Sequence, residues 1–199
     1  MIAQRRMPAV RMFSKEFNAS TLALEETVNN MKVTKLLSPL GIKFGRVFVA
    51  GTLLEVNEVK QEPKILRARI ADPLGGFTVF ASAYQLQPLV ALSEVIPPCH
   101  IAVVAKPKML NGPFLRPEYI TKVNEKTVER WVQETIQHTL NRIEIYEKQE
   151  SEDVKLAKQK YNTNVEEFRE ALRYIGAKEE KEVEEVEIDF SDLSDLVEW

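Results

Sequence analysis

One stretch of the chain, KILRARIADPLGGFTVFASAY at residues 64–84, constrains the fold more than any other part. Its middle, Asp72 to Gly76, combines a proline that fixes φ with glycines that permit positive φ, which predicts a tight turn. On either side of this turn the residue types alternate with period two, so the stretch predicts a two-stranded hairpin. One face of the hairpin is apolar and can bury a core, whereas the other face is polar and aromatic.

The polar face of the hairpin combines two cations with two rings: Arg67, Arg69, Phe80 and Tyr84. Rings that stack on unpaired bases, beside cations that meet phosphates, would explain this mixture. Packing of the rings under a helix or a partner subunit would explain it equally well. The hairpin alone therefore leaves nucleic-acid binding and protein packing open.

Further strands and one short helix surround the hairpin in the sequence. The run from Gly45 to Val59 predicts a strand before it, and Gly51 inside this run predicts a bulge or a sharp bend. Residues 84–95 predict a short helix, and residues 99–105 and 114–123 predict two more strands. Three strands, a short helix and two strands form the order of a five-strand OB-fold barrel, which is the predicted fold class together with a long C-terminal helix.

The ligand surface of an OB-fold lies on its second and third strands and on the loops after strands one and four. The polar face of the hairpin falls on those two strands, and a loop predicted at residues 106–113 adds further cations. The predicted nucleic-acid-binding residues are Arg67, Arg69, Phe80, Tyr84, Lys106, Lys108 and Arg116.

Residues 124–149 carry the strongest helical pattern, and Asn124 is placed to cap this helix. At 1.5 Å per residue the helix would be about 35–40 Å long, so it would overhang a small barrel. The width of its apolar stripe favours a bundle with other subunits over packing on its own barrel. The predicted subunit-interface residues are Val128, Trp131, Val132, Thr135, Ile136, Thr139, Leu140, Ile143 and Tyr146.

The remaining segments flank the barrel, predicted at residues 38–123, and the long helix. Residues 1–37 form an N-terminal extension with a short strand near residues 9–14, and residues 150–177 form a short helical region. Residues 178–199 hold ten acids and two lysines, a net charge of −8, whereas the preceding residues carry +5. This acidic composition predicts a disordered tail.

Apolar residues recur at helical spacing near the end of the acidic tail. They predict a segment that folds on a partner protein. An unstructured or loosely packed end explains the same short pattern equally well. The candidate partner-binding residues are Phe190, Leu193, Val197 and Trp199.

Composition and motifs limit the remaining function classes. No apolar run approaches the about 20 residues of a membrane span, and the first residues lack the apolar core of a signal peptide. The single cysteine, Cys99, suits a reducing compartment, so we expect a cytoplasmic protein. We expect no enzyme, no cofactor and no metal, because the sequence has no P-loop or catalytic constellation, and the adjacent Cys99 and His100 do not make a metal site.

Several short motifs follow one another in a fixed order between about residues 5 and 145. They are R-M-F-S-K-E-F at 11–17, S-P-L-G at 38–41 followed by R-V-F-V-A-G-T-L at 46–53, R-A-R-I-A-D-P-L-G at 67–75, R-P-E at 116–118, and W-V-Q-E-T at 131–135 with R-I at 142–143. This ordered set resembles the middle subunit of archaeal replication protein A. Leu74 departs from the family pattern, which usually has threonine at that position.

The resemblance implies an OB-fold subunit of a heterotrimer that binds and protects single-stranded DNA in replication, repair and recombination. It also implies a three-helix bundle with two sister subunits through the helix at 124–149. Only about 50 residues follow this helix, which leaves little room for the winged-helix domain of some relatives. The acidic tail is therefore the candidate for binding replication or repair proteins.

Two alternatives to this interpretation remain open. The chain could be an OB-fold assembly or scaffold subunit that makes little direct contact with nucleic acid. The ligand could also be RNA, because OB-fold grooves accept either kind of single strand.

Overall fold

A computed structural model describes residues 7–28, 31–148 and 151–177. The chain divides into two compact units, Met1–Thr163 and Asn164–Trp199. The candidate partner-binding residues of the tail, Phe190, Leu193, Val197 and Trp199, lie outside the described residues.

Helices and strands follow one another through the first unit with short connections. In chain order they are α1 (Ser14–Ala19), β1 (Leu22–Val28), β2 (Met31–Leu37), β3 (Lys43–Phe44), β4 (Val47–Gln61), β5 (Lys64–Asp72), β6 (Gly75–Ser82), α2 (Leu86–Glu94), β7 (Cys99–Met109), β8 (Pro113–Lys122), α3 (Glu125–Lys148) and α4 (Glu152–Lys160). The second unit contributes helix α5 at residues 165–177.

Five of the strands close into a barrel in the order β4-β5-β6-β8-β7. The pairs are antiparallel except for β6 and β8, which run parallel. Helix α2 lies between the third and fourth barrel strands in the sequence, as an OB-fold requires. The predicted fold class, a five-strand OB barrel followed by a long helix, is therefore confirmed.

Strand β4 bends because it belongs to both sides of the barrel. Its first half pairs with β7 and its second half with β5. Gly51 lies at the change of partner, opposite Ile101 and one residue before Thr52, which pairs with Ala71. A Cβ at position 51 would lie 2.2 Å from the carbonyl oxygen of Ala71, so the bend requires glycine. The predicted role of Gly51 agrees with this geometry.

The residues before the barrel form a helix and a small sheet rather than the short strand predicted at residues 9–14. Only Val10 makes a β-bridge there, and α1 begins at Ser14. The ring of Phe17 lies 5.5 Å from that of Phe77 in the barrel core. The main-chain N–H and the hydroxyl of Ser14 both donate to the carboxylate of Asp72, at 2.6 and 2.7 Å. These contacts fix α1 against the β5–β6 turn.

Helix α3 packs on its own barrel, whereas the width of its apolar stripe favoured a bundle with other subunits over such packing. The indole N–H of Trp131 donates to the carbonyl oxygen of Phe48 at 2.9 Å, and its ring meets Phe13 edge to face. Arg142 forms a buried ion pair with Glu16 of α1, with 2.6 Å between nitrogen and oxygen. Six of the nine predicted interface residues are buried in this chain: Trp131, Val132, Thr135, Thr139, Ile143 and Tyr146.

The other three predicted interface residues keep part of their surface accessible. Val128 and Ile136 are half-buried, and Leu140 is 40% exposed. The predicted cap of α3 is present, because the side chain of Asn124 accepts the N–H of Thr127 at 2.9 Å. Among the described residues, no helix has the length and apolar character needed to cross a membrane.

Candidate nucleic-acid interface

The outer wall of the barrel carries the residues that the sequence assigned to nucleic-acid binding. On β5, Ala68 and Ile70 are fully buried, whereas Arg67 and Arg69, which alternate with them along the strand, are exposed. This alternation follows from the pleat, which sends successive side chains to opposite faces. Arg67 lies directly opposite Phe80 on β6, so a cation and a ring share the outer face.

Strands β7 and β8 bring further cations to the outer wall. Lys108 of β7 lies opposite Phe114 of β8, and Lys106 lies opposite Arg116. The sequence placed the two lysines in a loop, but β7 extends to Met109, so both lie on a strand. Their positions are therefore fixed by the ladder between β7 and β8.

Two aromatic rings join the two halves of this surface. The rings of Phe80 and Phe114 meet edge to face, with centroids 5.3 Å apart and planes at 90°. Both side chains are half-buried. The pairing of Val79 with Leu115 underneath explains the contact, because these inward neighbours are fully buried and direct the adjacent rings outward.

These residues form one continuous surface across four strands, which we call the basic face. Its members are Arg67 and Arg69 on β5, Phe80 on β6, Lys106 and Lys108 on β7, and Phe114 and Arg116 on β8.

Phe114 is the member of the basic face that sequence reasoning missed. The alternation of Phe114, Leu115 and Arg116 placed the ring on the same side of β8 as the arginine, so a signal was present. The contact with Phe80 depends on the parallel pairing of β6 and β8, which are separated by α2 and β7 in the sequence. No local pattern predicts that pairing.

Tyr84 lies beyond the basic face. The sequence placed it at the end of the hairpin strand, but β6 ends at Ser82 and Tyr84 falls in the turn before α2. Its side chain is 88% exposed. The ring is accessible, but the strand register does not fix its position as it fixes Phe80.

Two carboxylates neutralise part of the basic face. Glu55 on β4 lies opposite Arg69 in the register, and its carboxylate lies 3.4 Å from the guanidinium of Arg67. Glu118 on β8 lies 3.6 Å from the ammonium of Lys106 and also pairs with Arg46 outside the face. Each carboxylate therefore faces cations on one half of the surface.

Lys108 and Arg116 form no ion pair with a carboxylate of the described residues. In the described part of the chain, neither residue has an acidic group within 4 Å. Partial burial lowers the pKa of Lys108 below its usual 10.5, and the positive charges of Arg116 and Lys106 lower it further. This crowding of like charges makes the β7–β8 side of the face a favourable position for an anion.

Comparisons with known proteins found similar solved structures but no matching family. No protein-family model matches it, and no curated protein matches it either. Similar solved structures include yeast Stn1 and Ten1, at 12% identity over 54% of this chain and 58% of that chain, with a TM-score of 0.46. They also include Rim1, a mitochondrial single-stranded DNA-binding protein of S. cerevisiae, at 14% identity over 42% and 97%, with a TM-score of 0.35.

An OBody bound to hen egg-white lysozyme is also similar, at 14% identity over 41% of this chain and 82% of that chain, with a TM-score of 0.36. Scores and identities this low do not bear on function. The fold assignment rests on the strand order of the barrel, and the functional assignment rests on the basic face.

Proposed function

We propose that the basic face binds single-stranded DNA and that the chain catalyses no reaction. The observation that carries this proposal is the edge-to-face pair of Phe80 and Phe114, half-buried on an outer wall that also carries five cations. Stacking on such rings contributes about 1–3 kcal/mol per base and tolerates any sequence. The cations would follow the phosphates of the same strand.

The charge around the rings favours a polyanion over a protein partner. The central part of a protein–protein interface is depleted of charged residues. Here the two rings share the outer wall with five cations, and among the described residues the carboxylates that pair with these cations are those of Glu55 and Glu118. Unpaired bases offer flat faces that duplex DNA hides in its stack, so a single strand fits the rings better than a duplex does.

We further propose that the chain acts in the cytoplasm as a subunit of a replication-protein-A-like heterotrimer in replication, repair and recombination. Support comes from the ordered motifs of the sequence. Two of these motifs contact each other, because Ser14 of the first donates to Asp72 of the third. Sister subunits would meet α3 at Ile136 and Leu140, which remain partly exposed in this chain, and the acidic tail would bind replication or repair proteins.

The test of DNA binding is a fluorescence anisotropy titration of a labelled oligo(dT) with the full chain. Replacing both rings, Phe80→Ala with Phe114→Ala, should weaken binding about 30-fold or more, if each ring contributes at least about 1 kcal/mol. The control is Tyr174→Ala, which removes a ring that is 69% exposed on α5. Unchanged affinity in the double variant would assign the two rings to packing.

The test of assembly is co-expression with candidate sister OB-fold subunits, followed by size-exclusion chromatography. A complex of three chains supports the heterotrimer. A monomer that co-purifies with none of the candidates would reject it, and DNA binding by that monomer would still support the first proposal.

A further inference from the structure

We infer that the main phosphate contact of the basic face lies on the β7–β8 side, at Lys108 and Arg116, rather than at the two arginines of β5. This inference rests on the proposed binding of single-stranded DNA and names the part of the face that holds the backbone. It differs from the sequence-based expectation, which gave all of the cations the same role.

On β5, Arg67 pairs with a carboxylate of the neighbouring strand, and Arg69 lies opposite the residue that carries it. Glu55 lies opposite Arg69 in the register and 3.4 Å from the guanidinium of Arg67. The exposed fractions of the paired side chains are similar, 47% for Arg67 and 44% for Glu55. A phosphate that approaches either arginine therefore also approaches a negative charge, which weakens the attraction.

The cations of β7 and β8 are arranged differently. Glu118, the carboxylate nearest to them, is shared between Arg46 and Lys106. Neither Lys108 nor Arg116 pairs with it among the described residues. Phe114 lies opposite Lys108 in the ladder and two residues before Arg116 on β8, and its ring meets that of Phe80. A phosphate held by these two cations would place its attached base beside the pair of rings.

The electrostatic state of Lys108 agrees with this position. Burial and the charges of Arg116 and Lys106 lower its pKa, so its ammonium form is destabilised in the absence of an anion. A phosphate would compensate all three charges, whereas no described carboxylate does so for Lys108 and Arg116.

The salt dependence of binding separates the two halves of the face. Each phosphate contact with a single strand contributes about −0.7 to the slope of log K against log salt. Two full contacts at Lys108 and Arg116 therefore contribute about −1.4, or about sevenfold in affinity between 50 and 200 mM salt.

The experiment compares two double variants in the oligo(dT) titration at several salt concentrations. Lys108→Gln with Arg116→Gln, and Arg67→Gln with Arg69→Gln, each remove two positive charges from the outer wall. We expect the first pair to reduce the slope by about 1.4 and the second pair by less than half of that.

A second comparison uses two single variants on β4. Glu55→Gln should steepen the slope because it frees Arg67 from its ion pair and removes a negative charge opposite Arg69. Glu58→Gln is the matched control, since it removes the same charge from the same strand but pairs with Lys64, 3.8 Å away and outside the basic face. Thermal unfolding of each variant checks that the barrel remains folded.

The outcomes keep the two proposals apart. Equal slopes in the two double variants, or a larger loss in the β5 pair, would overturn this inference while DNA binding stands. An equal effect of Glu55→Gln and Glu58→Gln would also overturn it, because general charge would then explain the slope. Failure of the unaltered chain to bind oligo(dT) would overturn the proposed function and this inference with it.

Discussion

The buried ion pair between Arg142 and Glu16 gives a direct test of whether α3 is held on its own barrel. The guanidinium donates to both carboxylate oxygens of Glu16, at 3.0 and 2.6 Å, and also to the carbonyl oxygen of Arg11 and the hydroxyl of Thr139. The side chains of the pair are 7% and 2% exposed. Replacing Arg142 with methionine keeps the aliphatic length but leaves a buried carboxylate without a partner.

The expected cost of Arg142→Met is about 3–5 kcal/mol, the usual penalty for breaking a buried pair by removing one partner. With a urea m-value of about 2 kcal/mol/M, this loss lowers the unfolding midpoint by about 2 M. The fluorescence of Trp131 reports the transition, because its ring is buried between α3 and the barrel. A Trp199→Phe background removes the other tryptophan.

Two further variants make the measurement specific. Arg130→Met breaks an exposed pair with Glu134 on the same helix, where Arg130 is 79% exposed, and should cost less than about 1 kcal/mol. Arg142→Met combined with Glu16→Leu removes both charges and should cost less than Arg142→Met alone. A loss below about 1 kcal/mol for Arg142→Met would refute the docking of α3 on α1 and the barrel.

Two other predictions concern the barrel bend and the basic face. Gly51→Ala should lower the free energy of unfolding in urea by about 1–3 kcal/mol or more, because the new methyl group meets the main chain of Ala71. Gly176→Ala is the control and should cost far less, because nothing lies within 4 Å of its new Cβ. Equal losses in the two variants would contradict the assigned role of Gly51 in the bend. Oligo(dT) affinity should fall as pH rises towards 10.5, because Lys108, with its lowered pKa, loses its proton below that value in the free protein. Lys108→Arg keeps a positive charge at this position throughout the pH range, so it should remove the contribution of Lys108 to the pH dependence of affinity. If the variant and the unaltered chain gave the same pH profile, the loss of affinity would belong to other groups.

The hairpin could be predicted from the sequence because its determinants are local. The Asp72–Gly76 turn and the period-two alternation fix both strands and their faces within about 20 residues of chain. Arg67 and Phe80 therefore share the outer face as expected. The same local logic places Gly51 at the bend of β4 and Asn124 at the start of α3.

The packing of α3 against the barrel and α1 could not be predicted, because the residues in contact are far apart in the chain. Trp131 donates to Phe48, 83 residues earlier, and Arg142 pairs with Glu16, 126 residues earlier. The helical pattern gives the apolar stripe but does not say what buries it. The pairing of β6 with β8, which brings Phe80 to Phe114, is non-local for the same reason.

The docking of α3 changes what a helix bundle with sister subunits would require. Ile136 and Leu140 are one turn apart on one flank of the buried stripe, so they offer a partner helix an apolar strip of about 6 Å. A coiled-coil seam needs apolar positions that repeat over several turns, and most of the residues that could supply them, among them Trp131, Val132 and Ile143, are already buried in this chain. A stable heterotrimer would therefore have to bury surface outside α3 as well, and α3 would contribute an edge to the assembly rather than its core.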